Sequence, residues 1–137
     1  EIVAIKEATG SLDQASAIAG LCDITILSGD DSLTLPLFSV GAKGVISVAS
    51  NVSPPKVLAI TDNALKGDYA AAREAHHHLF KLCRAMFLEA NPQPVKAGMA
   101  MMGLCTSAVR LPLVTASEET QAEVRAVFTE TGLLTAE

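Results

Sequence analysis

ITILSGDDSLTLPLFSVGAKGVISVA, residues 24–49, decides the fold. Two short runs rich in Ile, Leu and Val, ITILSG at 24–29 and GVISVA at 44–49, flank a stretch from Asp31 to Val40 with room for one short helix. Apolar runs bounded by Gly, Asp and Ser read as strands, and Asp31 stands where a helix N-cap belongs. Strands joined through a helix pair in parallel by a right-handed crossover, because a tight turn can only reverse the chain.

The same unit appears once more toward the start. IVAIK at 2–6 reads as a strand, and Ser11 to Leu21 as a helix capped by Ser11. The strands begin at residues 2, 24 and 44, the spacing of a βα rhythm. Toward the other end, Ser53-Pro54-Pro55 marks a change to helices only. Pro54 and Pro55 open a helix through Leu65, which Lys66-Gly67 stops. A long helix follows from Asp68 to Leu88, NPQPVK at 91–96 starts another through Met102, and Ser117 begins a last one that Gly132 ends.

The fold class is therefore α/β. Three parallel strands cannot close a barrel, which takes eight βα units and about 250 residues. They form either a small open sheet or the last part of a larger barrel. Residue 1 already stands in a strand pattern with no initiator Met, so the sequence is expected to begin in mid-domain.

Composition narrows the function. Half of the 137 residues are hydrophobic, enough for a substantial core in one domain. Net charge is −5 and the ten Lys and Arg are scattered, so neither a nucleic-acid backbone nor an anionic membrane is an expected partner. No run reaches the roughly 18 apolar residues of a membrane span, and the first residues lack a signal-peptide plan. A soluble, cytoplasmic protein is expected. Cys22, Cys83 and Cys105 are odd in number and far apart, which predicts buried free thiols rather than a disulfide or metal site.

In a parallel sheet the strand ends from which the chain exits collect functional residues. Lys6, Gly29-Asp30-Asp31 and the Ser47–Asn51 segment all fall at such ends. Lys6 alternates with Ile2 and Ala4 and shares their face. Inside a barrel, a poorly solvated lysine is favoured as the neutral amine. A neutral amine attacks a ketone, loses water and becomes a protonated Schiff base, an electron sink for a carbanion at the next carbon. On placement alone, a strand-end lysine reaching into water is the favoured reading.

Four motifs change that balance. IKEATG at 5–10, LSGDD at 27–31, KGVISVASN at 43–51 and NPQPVK at 91–96, with RLP at 110–112 and GLL at 132–134, resemble in order and spacing the dihydrodipicolinate synthase family of class I aldolase-like enzymes. The resemblance spans nearly the whole chain and implies the C-terminal part of a (β/α)8 TIM barrel. Residues 1–66 would form the barrel segment with the last three βα units, and residues 67–137 a C-terminal helical region. Lys6 matches the Schiff-base lysine that binds pyruvate. Ile46 matches a residue touching bound pyruvate, while Gly29, Asp30 and Asp31 match the rim where the second substrate, L-aspartate 4-semialdehyde, arrives. The resemblance implies no cofactor, no metal and a homotetramer.

It also implies that a tyrosine proton relay, a threonine pair for the pyruvate carboxylate and an arginine for the second substrate stand on strands preceding residue 1. Without them, residues 1–137 by themselves would be a poor catalyst or none, even with Lys6 present. N-acetylneuraminate lyase and the sugar-acid aldolases share the lysine but usually differ around KEATG and SGDD; they remain the alternative, as does an inactive half-barrel.

Other features read as structural. His76, His77 and His78 on a helix are turned by about 100° each and cannot converge on one ion. Met99, Met101 and Met102 suit packing, and so does Tyr69, the single tyrosine.

Overall fold

A computed structural model describes residues 1–135. The chain divides into two compact units, one of Glu1–Ser47 with Pro55–His77, the other of Val48–Pro54 with the described residues from His78 onward.

The first unit is built on a three-stranded parallel sheet, β1 (Ala4–Glu7), β2 (Thr25–Ser28) and β3 (Gly44–Val45), in that order. Between the strands lie α1 (Leu12–Leu21) and, after a 3-10 turn at Asp31–Leu33, α2 (Thr34–Ser39). Both parallel crossovers thus run through helices, as the residue 24–49 pattern requires. Ile26 on β2 is buried with Ala15, Leu37, Phe38, Ala42, Ala64 and Ala72. That cluster draws on α1, α2, α3 (Pro54–Leu65) and the first turn of α4 (Tyr69–Ala85). One face of the sheet is therefore the helix-covered core, and residues one step out of register with Ile26 point to the other face.

Local chemistry sets the helix ends. The Ser11 hydroxyl accepts from Gln14 N–H at 3.1 Å and caps α1. α3 runs from Pro54 to Leu65 as expected, and Gly67 follows with φ +81°, a left-handed C-terminal stop that suits glycine.

Three sequence expectations need correction. The strand at 44–49 is only two residues long, because Val48 takes helical angles and Ala49–Asn51 closes a 3-10 turn. The residue that caps the turn after β2 is Asp30, whose Oδ1 accepts from Ser32 N–H at 3.0 Å; Asp31 is already inside the turn. Cys83 is buried, but Cys22 is exposed, since α1 buries only Ala15 and Cys22 lies just beyond its last turn.

The second unit packs α5 (Gln93–Met101) on α6 (Glu118–Glu130). Gly98 lies against Phe128, which is fully buried, as are Leu79, Leu82, Met86 and Val124. Ser117 caps α6 by accepting from Thr120 N–H at 3.2 Å. Ser117 in turn donates its own N–H and hydroxyl to Glu89, at 3.0 and 2.6 Å, so a carboxylate sits at the positive end of α6. Those hydrogen bonds hold the Glu89 carboxyl below its ordinary range.

Candidate active site at the strand ends

Register brings the sequence-selected residues together. Lys6 pairs with Leu27 and Leu27 with Gly44, so all three point to the face opposite Ile26. Ile46 N–H continues the ladder by donating to Ser28 O at 2.8 Å, which returns the Ile46 side chain to the Lys6 face. Ile46 is 47% exposed and Lys6 is exposed as well. This is the sheet face not covered by the helix cluster.

Gly29 makes room for Lys6. A Cβ there would lie 2.8 Å from Lys6 Cε, 2.4 Å from Ala8 Cβ and 3.0 Å from Glu7 O. Gly29 N–H donates to Glu7 O at 2.6 Å, so the two strand ends are tied where the lysine stem passes over bare backbone. Any side chain at position 29 would displace that stem.

The acidic pair is engaged structurally. Asp30 Oδ1 accepts from Ser32 N–H and Ser32 hydroxyl, at 3.0 and 2.9 Å. Asp31 is buried and accepts from the Ser47 hydroxyl. Asp31, expected as a helix N-cap, instead links the exits of β2 and β3. Ser28, fully buried beneath them, donates to Asp30 O at 2.7 Å.

Sequence reasoning missed Glu7. It directly follows Lys6, is 3% exposed, and accepts from Thr9 N–H at 3.0 Å and from the Thr9 hydroxyl. Glu7 and Thr9 thus fold the KEATG segment into a hydrogen-bonded turn at the exit of β1. The signal was the Glu-x-Thr spacing inside that motif, a local side-chain-to-backbone pattern.

The remaining polar candidates lie elsewhere. Tyr69, on α4, places its hydroxyl 3.5 Å from Phe38 O. The His76 and His77 rings meet edge-on with centroids 5.5 Å apart, and burial, then His77, lowers the His76 pKa. Among the described residues, no three His, Cys, Asp or Glu side chains are grouped to hold a metal ion.

Parallel βα units with a lysine and a bare glycine at adjoining strand exits make this an α/β fold with its polar residues gathered at the strand ends. The chain belongs to the dihydrodipicolinate synthetase family, whose model matches residues 1–131. It is 50% identical over 135 residues to the 4-hydroxy-tetrahydrodipicolinate synthase of Geobacter sulfurreducens, covering 97% of this chain and 47% of that relative. The crystal structure of dihydrodipicolinate synthase from Aquifex aeolicus is 46% identical with a TM-score of 0.93, over 96% of this chain and 46% of that one. The chloride-inhibited synthase from Acinetobacter baumannii, crystallised with pyruvate, is 31% identical with a TM-score of 0.92, over 97% and 46%. The chain spans about half the length of the curated relatives it matches.

Proposed function

We propose that this chain carries the Schiff-base centre of a 4-hydroxy-tetrahydrodipicolinate synthase, with Lys6 as the covalent residue. The observation that carries the reading is Lys6 at the exit of β1, on the uncovered sheet face, with its stem laid over Gly29, in a chain of this family.

The chemistry follows from a primary amine in that position. Lys6 Nζ adds to the pyruvate ketone and water leaves, giving a protonated imine. Loss of a methyl proton gives the enamine, whose carbon attacks the aldehyde of L-aspartate 4-semialdehyde while the aldehyde oxygen gains a proton. The amino group of that adduct then attacks the imine carbon, closes the ring and releases Lys6 as the free amine. Ile46 would offer an apolar wall to bound pyruvate, and Gly29 the space for the imine. Asp30 and Asp31, held by Ser32 and Ser47, would shape the rim met by the second substrate. No cofactor enters these steps.

The working protein is proposed as a cytoplasmic homo-oligomer, a tetramer as in the family. Three free cysteines fit a reducing compartment, and no described helix is long and apolar enough to cross a membrane.

Incubation with pyruvate, borohydride reduction and peptide mass spectrometry test the centre. A single adduct on Lys6 is expected. No adduct, or equal labelling of Lys43 and Lys66, sinks the assignment. Consumption of the trapped-state precursor by L-aspartate 4-semialdehyde, but not by an N-acetylated amino sugar, separates the synthase from the lyase alternative.

A further inference from the structure

Two motifs unused by the Lys6 centre, NPQPVK at 91–96 and RLP at 110–112, converge in the second unit. Pro92 and Lys96 from the first and Arg110 from the second line one cavity of about 550 Å³ with Val109 and Leu113. That volume lies within the roughly 300–1,000 Å³ of small-molecule pockets. No acidic side chain lines it, although the chain as a whole carries 15 Asp and Glu against ten Lys and Arg. Neither Lys96 nor Arg110 forms an ion pair among the described residues.

The two segments are pinned together by a buried side chain. Gln93, 8% exposed, donates from Nε2 to Val114 O at 2.8 Å, joining the start of α5 to the segment that carries Arg110. A buried amide hydrogen bond of this kind fixes relative position more than it adds stability. Two cations are thus presented over the apolar surface of Pro92, Val109 and Leu113.

We propose that this cavity is a binding site for a small organic dicarboxylate, separate from the Lys6 centre. The guanidinium suits one carboxylate in a forked contact, the ammonium suits the other as a point charge, and the apolar wall takes the short carbon chain between them.

Calorimetric titration of the full chain with sodium succinate, at ionic strength held constant with sodium chloride, tests the site. Saturable binding is expected, with propionate binding more weakly because it engages one cation. Arg110→Gln and Lys96→Gln should each weaken succinate at least about tenfold, the loss of at least one charge-assisted hydrogen bond. Lys96→Arg should keep most of the affinity, while Lys43→Gln and Lys6→Ala should leave it unchanged. Circular dichroism checks that each variant is folded, and Arg110, being exposed, supplies the variant least prone to misfolding. Absent saturation, equal affinity for propionate, or binding untouched by Arg110→Gln in a folded protein overturns the proposal. Loss of succinate binding in Lys6→Ala would also overturn it, by assigning the ligand to the other centre.

Discussion

Replacing Gly98 by alanine sets two opposed effects against each other on α5. Alanine is the better helix former by about 0.8–1 kcal/mol, which alone predicts stabilisation. The added Cβ, however, would lie 2.4 Å from Phe128 Cζ, 2.8 Å from Cε2 and 3.3 Å from Cε1. Carbon atoms rest about 3.5–4.0 Å apart, so the ring or the helix must shift by roughly an ångström. Phe128 has no exposed surface, and a ring is rigid, so the strain falls on the α5–α6 packing. Overpacking of this kind costs about 1–3 kcal/mol, and with three ring atoms involved the upper part of that range applies. The net expectation is a loss of about 1–2 kcal/mol after the helix gain is subtracted. Urea denaturation of the full chain, followed by circular dichroism, should show a lower midpoint with an unchanged slope. In a cycle with Phe128→Leu, the double variant should lose less than the sum of the singles, because the smaller side chain vacates the contact. A stabilised Gly98→Ala, or strict additivity in the cycle, would show that the Phe128 ring accommodates the added methyl without strain.

Gly29→Ala tests the site in the same way: with a Cβ 2.8 Å from Lys6 Cε, the lysine stem must move. Misplacement of a reacting group by an ångström can cost up to about a hundredfold in rate. Borohydride trapping of pyruvate should slow by about tenfold or more while Lys6 remains the labelled residue, and an unchanged rate would show that the contact is immaterial. Acid stability gives a further check through Glu89. Hydrogen bonds from Ser117 and Thr120 hold its folded pKa below the ordinary 4.5, so its stabilising contribution is complete above that value and is lost as pH falls through the folded one. Glu89→Gln should therefore flatten the decline in melting temperature below about pH 4.5 relative to the parent chain, and parallel curves for the two proteins would contradict this.

What the sequence carried was local. Ser11 and Ser117 cap helices through N–H groups three residues away, and Gly67 and Gly132 stop them with φ +81° and +72°. Each of those features is written within one turn of chain. The alternation that set Lys6 on one strand face also held, because a two-residue period leaves no other choice once β1 pairs with β2. What could not be read depends on distant partners. Asp31 turns inward because Ser47, sixteen residues on, supplies a hydroxyl. Glu89 finds Ser117 from 28 residues away. β3 is short because the chain at Val48 adopts helical angles, although its Val-rich composition favours a strand. The site divides along the same line. A lysine at a strand end is compatible with simple solvation, and its exposed side chain here adds nothing against that. The path of the lysine stem depends on a neighbour that only tertiary structure supplies, and the neighbour is an absence: the missing Cβ at Gly29, 23 residues downstream, over which the Lys6 stem lies. A glycine marks such a place only when its cross-strand neighbour is known. The KEATG and SGDD motifs, taken together, therefore carry more information than either alone.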